Sequence, residues 1–217
     1  MRGITFGNIH TDDMNLILSS VNIPPAQPKT NYIDIPGADG QVDLTEALGA
    51  VKYQMREAEF VFSTAPGHNI EDVKREVSNA LNGVYFKKII MDKDPEWYWQ
   101  GRTRVDGYGN EYPCDKITVK ATLKPYKLRD NVLTYQSTKA QDTRTVVLYN
   151  EKKIVMPRFI TGNSGVQINC NGKSKYINPN TTFSDVSFSL NQGENKLVFT
   201  IYFISSKFTI KYTEGSL

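Results

Sequence analysis

Few residues in this chain have the chemistry for catalysis or metal binding. There are only two histidines and two cysteines among 217 residues. His10-Thr11-Asp12-Asp13 gathers an imidazole, a hydroxyl and two carboxylates, a set that could hold a metal ion. It lacks a second His or Cys at ligand spacing, and Asp and Thr are common turn residues, so the four read as a turn. His68 stands just before a helix start and reads as exposed loop. Cys114 and Cys170 lie far apart, in segments expected to fold separately. Two cysteines make no disulfide framework, and free thiols kept in a reducing compartment are the expectation.

Asn171-Gly172-Lys173-Ser174 ends like a phosphate-binding loop. That loop needs a glycine five positions before its Gly-Lys pair, and Gln167 stands there instead. Pro179 follows soon after, so no helix N-terminus is offered to a phosphate. Asn-Gly is also a strong hairpin signal, and a hairpin is predicted here. No Gly-x-Ser-x-Gly element occurs. The carboxylates are scattered, so no glycosidase pair can be nominated. Asn180-Thr181-Thr182 is a glycosylation sequon, but without a signal peptide it would not meet the machinery. Trp97-Tyr98-Trp99 could stack sugars or bases; aromatic clusters more often fill a core or an interface, which is the reading taken. No residue is therefore nominated as catalytic, cofactor-binding or metal-binding, no cofactor is implied, and the chain is expected not to be an enzyme.

Composition fits an ordinary soluble globular protein, with 39% hydrophobic and 23% charged residues and a net charge of +3. That charge is too small to argue for nucleic acid. Lys116, Lys120, Lys124, Lys127 and Arg129 form a modest basic run, read as a solvated strand face and not a phosphate track. The first residues contain no apolar run of signal-peptide length, and no stretch approaches a membrane span, so cytoplasmic synthesis is expected.

The elements that must position these residues are mostly strands. Ile4 to Phe6, Leu16 to Leu18 and Asn31 to Ile35 read as short strands, with Pro24, Pro25 and Pro28 breaking regular structure between the last two. Pro36-Gly37 and Asp39-Gly40 are turn signals. Alternation starting at Tyr53 and Met55 and resuming at Ala58, Phe60 and Phe62 predicts a strand with a bulge near Arg56-Glu57. Ile70, Val73, Val77 and Leu81 share one helical face. Asn69 is a good N-cap, Asp72 a capping-box partner and Gly83 a C-terminal stop, so one helix is expected near 70–82. Strands follow at Val84 to Met91 and from Trp97, with a turn at 92–95 and a loop at 107–110. Ile117, Val119, Ala121 and Leu123 alternate with polar residues, as in a half-buried antiparallel strand.

The polar stretch from about 129 to 144 reads as a domain boundary. Beyond it, strands are expected at 145–148, 158–161, 166–170, 187–190, 196–203 and 207–212. Their even spacing, with turn signals between, indicates a small β-sandwich. The expected fold is mostly β: an α+β domain over residues 1–130 with its single helix, then an all-β domain over residues 140–217.

Three segments together resemble a known family, the distal tail proteins of long, non-contractile-tailed bacteriophages. They are Gly3 to His10 with Asp12-Asp13 and Leu16-Ile17-Leu18; Pro28 to Gly40, ending in Ile-Pro-Gly-Ala-Asp-Gly, with Asp43 to Leu48 after it; and Trp97 to Arg102 with Ala121 to Tyr126. They span residues 1–128. The resemblance implies a structural virion protein whose first domain closes into a ring, a hexamer in that family, at the distal end of the tail. The ring would join the tail tube to a tail-associated hub protein. The second domain would be galectin-like and would dock receptor-binding or baseplate proteins. The family carries no catalytic residues. No membrane span and no sequence-specific nucleic-acid binding is expected. The alternative is a carbohydrate-binding module, with the C-terminal sandwich gripping host cell-wall glycans.

Overall fold

The computed structural model describes residues 3–47, 49–109 and 115–217. It is mostly β and divides into two compact units, residues 1–127 and 128–216.

In the first unit β1 (Ile4–Phe6) and β2 (Ile9–His10) make a short hairpin, and a 3-10 turn at Thr11–Met14 leads into β3 (Leu16–Asn22). After the prolines come β4 (Tyr32–Asp34) and β5 (Gln41–Asp43), then β6 (Arg56–Thr64), α1 (Ile70–Leu81), β7 (Tyr85–Met91), β8 (Asp94–Gly109) and β9 (Lys116–Leu123). Apart from β4 and β5, which pair only with each other, the strands pair antiparallel in the order β2-β1-β7-β8-β9-β6-β3.

The 16-residue β8 holds this sheet together by changing partner midway. Its first half pairs with β7 and its second with β9, and Gly101 takes part in both registers. A Cβ on Gly101 would stand 2.4 Å from the Thr122 carbonyl oxygen and 2.9 Å from Leu123 Cα, so only glycine lets the backbones approach this closely. The two halves meet across a core in which Phe6 lies edge-on to Phe60 at 5.9 Å. The alternating residues Ile117, Val119, Ala121 and Leu123 are all fully buried there, as their period predicts. Helix α1 adds Val73, Val77 and Leu81. Each fully buried side chain of the size of Phe60 or Phe62 contributes about 2–3 kcal/mol.

Several local expectations are corrected. The register of β6 against β9 runs unbroken from Arg56 to Ser63; the bulge lies in β3, between Leu18 and Ser20. The slip in hydrophobic period has another cause: Arg56 occupies an inward position and is buried, while Tyr53 and Met55 precede the strand. Asn69 caps α1 by accepting from Glu71 N at 3.0 Å, but Asp72 closes no box and pairs instead with Arg75 at 3.3 Å. The turn before β8 is only Asp92-Lys93, and β8 runs on through Gly107 and Gly109, where a loop was expected.

The second unit is a sandwich. Its strands are β10 (Lys127–Gln136), β11 (Asp142–Asn150), β12 (Arg158–Thr161), β13 (Val166–Cys170), β14 (Lys173–Ile177), β15 (Thr182–Phe183), β16 (Gly193–Ile201) and β17 (Lys207–Ser216). One sheet is ordered β11-β16-β13-β14, and the other runs β15-β12-β17-β10. Leu148, Ile168, Leu197 and Phe199 from the first face Phe159, Phe208 and Ile210 from the second.

The polar stretch at 129–136 forms strand β10. Its inward Leu133 and Tyr135 pack on the core. Its Arg129 and Asn131 both donate to the buried carboxylate of Glu214, at 2.5 and 2.8 Å. That partner is 83–85 residues away, so local sequence shows only polarity. The strand expected at 187–190 is a 3-10 turn over Val186–Phe188 with an isolated bridge at Leu190. Asp185 accepts from Ser187 N at 2.7 Å and Ser189 donates to Val186 O at 2.6 Å, so side chains satisfy backbone groups that a ladder would have used.

Candidate assembly surface

Almost every polar group singled out by the sequence is engaged in holding its own turn or strand. His10 caps the 3-10 turn: its Nδ1 accepts from Asp12 N at 3.2 Å, and its backbone N–H donates to Asp13 at 3.1 Å. Its Nε2 lies 3.2 Å from Asp92, which also accepts from Gly3 N at 2.6 Å. The cluster thus ties β2 to the β7–β8 turn. Among the described residues no three His, Cys, Asp or Glu side chains converge as a metal site would require. His68 is exposed before the helix cap. Cys170 is buried, and burial pushes its thiol pKa up, away from reactivity. Cys114 lies outside the described residues.

Asn171 and Gly172, both at positive φ, form the two-residue turn between β13 and β14, and Lys173 opens β14. The turn is held from below by Asn195, whose Oδ1 accepts from Asn171 Nδ2 at 3.0 Å and from Asn191 N at 2.8 Å. Asn195 Nδ2 donates to the carbonyls of Asn191 and Gly193. In sequence Asn195 is only a turn residue; its burial comes from tertiary packing.

Of the aromatic triplet, Trp99 joins the first unit's core, Tyr98 is buried outside that cluster and Trp97 is half-buried. Trp99 is buried, with the Arg56 guanidinium 4.8 Å from its ring centre, and Tyr98 is buried beneath Lys88 Nζ at 4.6 Å. Arg56 also donates to Pro125 O at 2.9 Å and Pro24 O at 3.2 Å, so it pins the proline segment to the end of β9. The basic run is likewise partnered: Lys120 with Asp106 at 2.6 Å, Lys124 with Gln100 at 3.1 Å, Lys127 with Asp94, and Arg129 with Glu214.

Among the described residues one element is left unsupported. The β4–β5 hairpin is exposed along its whole length on both faces, with Tyr32, Ile33, Ile35 and Val42 all more than 40% exposed. Ile33 stands directly opposite Val42. Its base is secured by Leu44 N to Asn31 O at 2.8 Å, Asn31 N to Thr45 Oγ1 at 3.1 Å and Lys29 N to Lys52 O at 2.7 Å. An isolated two-stranded ladder is marginal in water. One that exposes four large apolar side chains marks a surface made to be covered. The sequence pattern places a strand and turns here but gives no sign that they stand off the core.

No family model matches the chain, and no curated protein matches it. Among solved structures it is similar to the Dit (gp 19.1) protein of SPP1, described as a paradigm of hub adsorption apparatus in phages infecting Gram-positive bacteria. The TM-score is 0.68 at 14% identity, covering 100% of both chains. The chain has the fold of a phage Dit protein. A weaker likeness, with a TM-score of 0.45 at 10% identity over 97% of this chain and 98% of the other, is to a chain of the phage P2 baseplate in its activated conformation with Ca. The tip of the β4–β5 hairpin carries the Ile-Pro-Gly-Ala-Asp-Gly stretch. Among the described residues no helix is long and apolar enough to cross a membrane.

Proposed function

We propose that this chain is a structural, non-enzymatic protein of a phage tail tip, acting as a hub or baseplate component of the virion. Residues 1–130 close into a ring, hexameric as in the family it resembles, between the tail tube and a tail-associated hub protein. Residues 140–217 form the outward docking platform for receptor-binding or baseplate proteins. The observation that carries this reading is the bare β4–β5 hairpin in a chain with the Dit fold. A ring needs a heterologous contact, one patch on each copy meeting a different patch on the next. A hairpin with exposed apolar side chains on a secured base suits one half of such a contact.

Native mass spectrometry of the full chain, alone and with tube and hub partners, tests this. A six-membered ring is expected. Ile33→Glu with Val42→Lys is expected to leave a monomer with an unchanged melting temperature, because both side chains are exposed and the two new charges, directly opposite each other, are of opposite sign. A monomer under every condition would overturn the ring reading. A ring that forms equally well from the double variant would remove the hairpin from it.

For the second unit's outer surface we take protein docking over glycan binding, and the aromatic side chains it exposes are Tyr149, Tyr176 and Phe203. Both tryptophans of the chain lie in the first unit, and Trp99 is buried there. The sandwich therefore has no indole on which a sugar ring could stack.

A further inference from the structure

On the outer face of the second unit, Arg158 of β12 and Lys211 of β17 stand directly opposite each other in the antiparallel register. Both are exposed, and among the described residues neither forms an ion pair. Like charges directly across a ladder destabilise a sheet. A local choice that works against the fold points to a role outside it.

The two cations line one concavity of about 530 Å3, within the usual range of ligand sites. Lys153, from the loop between β11 and β12, lines it as well. The single carboxylate in the lining is Asp130, which accepts from Thr213 Oγ1 at 2.8 Å. Three cations against one carboxylate leave the concavity net positive. Its remaining character is aliphatic: Val132, Ile154 and Met156 line it, each more than half exposed. No Phe or Trp is in the lining, and its one tyrosine, Tyr212, is buried, with its hydroxyl donating to Tyr149 O at 3.3 Å.

We propose that this concavity is a docking site for a partner-protein segment that alternates acidic and aliphatic side chains. A carboxylate of the segment would lie between Arg158 and Lys211, relieving their mutual repulsion, and its aliphatic neighbours would cover Val132, Ile154 and Met156. The cations alone would also suit a phosphate-bearing wall polymer. The aliphatic rim favours a peptide, because a polyol phosphate gains nothing from covering it. The proposal deepens the docking role given above to the second domain, extended to β10, and rests on that reading only for which protein brings the segment.

The test uses the full chain and the capped peptide acetyl-Glu-Val-Glu-Leu-Glu-Val-amide, followed by amide chemical shifts at low salt. Saturable shifts at β12, β17 and the 153–156 loop are expected, with at least tenfold weaker binding of the same peptide carrying Gln for Glu. Lys211→Glu is the decisive variant. It is expected to keep or raise the melting temperature, since it turns a like-charge pair into an opposite one, while weakening the peptide at least tenfold. Lys29→Glu is the control and should change nothing. Equal binding of the Glu and Gln peptides, or full binding by Lys211→Glu, would overturn the proposal. Poly(glycerol phosphate) binding where the peptide does not would overturn it in favour of a wall polymer. The ring assay reads Ile33 and Val42, so failure of one reading is distinguishable from failure of the other.

Discussion

Single side chains decide the turns of this molecule. Asn195 satisfies backbone groups of the 191–193 turn and the Asn171 side-chain amide of a second turn while itself buried, and truncation would leave several of them without partners. Such a loss costs about 1–3 kcal/mol for each buried group left unmade. Asn195→Ala is expected to destabilise the second unit by about 3 kcal/mol, read from urea unfolding, with Asn195→Asp recovering only the acceptor half. A second residue sets a pH response. The Arg144 guanidinium at 2.9 Å, with help from Thr138 N–H, holds the Asp142 carboxyl below its ordinary range. A carboxylate whose pKa is lowered by folding stabilises the fold above its unfolded value, about 3.9. That contribution is lost as the pH falls from there through the lowered folded value. Asp142→Asn should therefore lower the melting temperature at neutral pH and flatten its fall as the pH drops below about 4. An unchanged acid limb would show that the pair contributes nothing. Asp142 and Arg144 are two positions apart and Thr138 only four from Asp142, so the whole cluster is local to the start of β11.

At the scale of elements, β8 is the member on which the first unit depends. It was legible as a strand from Trp97 onward, and β9 was legible in full from its alternation. The change of partner at Gly101 was not, because a glycine in a strand pattern looks like any turn glycine. Gly101→Val is expected to cost at least 3 kcal/mol or to abolish folding, since its side chain would enter the Thr122 carbonyl. Gly107→Ala, with open space around its position, serves as the mild control. Circular dichroism melts of the two variants separate the effects. Helix α1 was read to within a residue of its ends because caps and period agree. The strand at β10 was missed for the opposite reason: its inward polar residues are paid for by Glu214, far along the chain. The 187–190 segment misled because a short run of mixed residues has no period long enough to separate a strand from a capped turn.

For the whole molecule, two cores that share no residue are each built from opposed strands, and the surface features lie on what those cores leave uncovered. The hairpin and the cationic concavity both expose groups that cost stability in an isolated chain, as expected of a protein finished by its partners. Protein docking, taken over the glycan alternative, has a direct test. Calorimetry of the full chain with uncharged cell-wall glycans is expected to show no heat of binding, and a saturable signal would restore that reading. What the sequence alone determined was the class and the order: alternation and turn residues set most strands, one face of apolar spacing set the helix, and the Ile-Pro-Gly-Ala-Asp-Gly stretch suggested the family. These are local signals, written within a few residues of one another. The tertiary structure alone decided which strands pair, where β8 changes partner, that Trp99 is buried while Ile33 is bare, and that Arg158 faces Lys211. Each of those depends on residues brought together from distant parts of the chain, and no local pattern records whether a buried or an open surface will meet them.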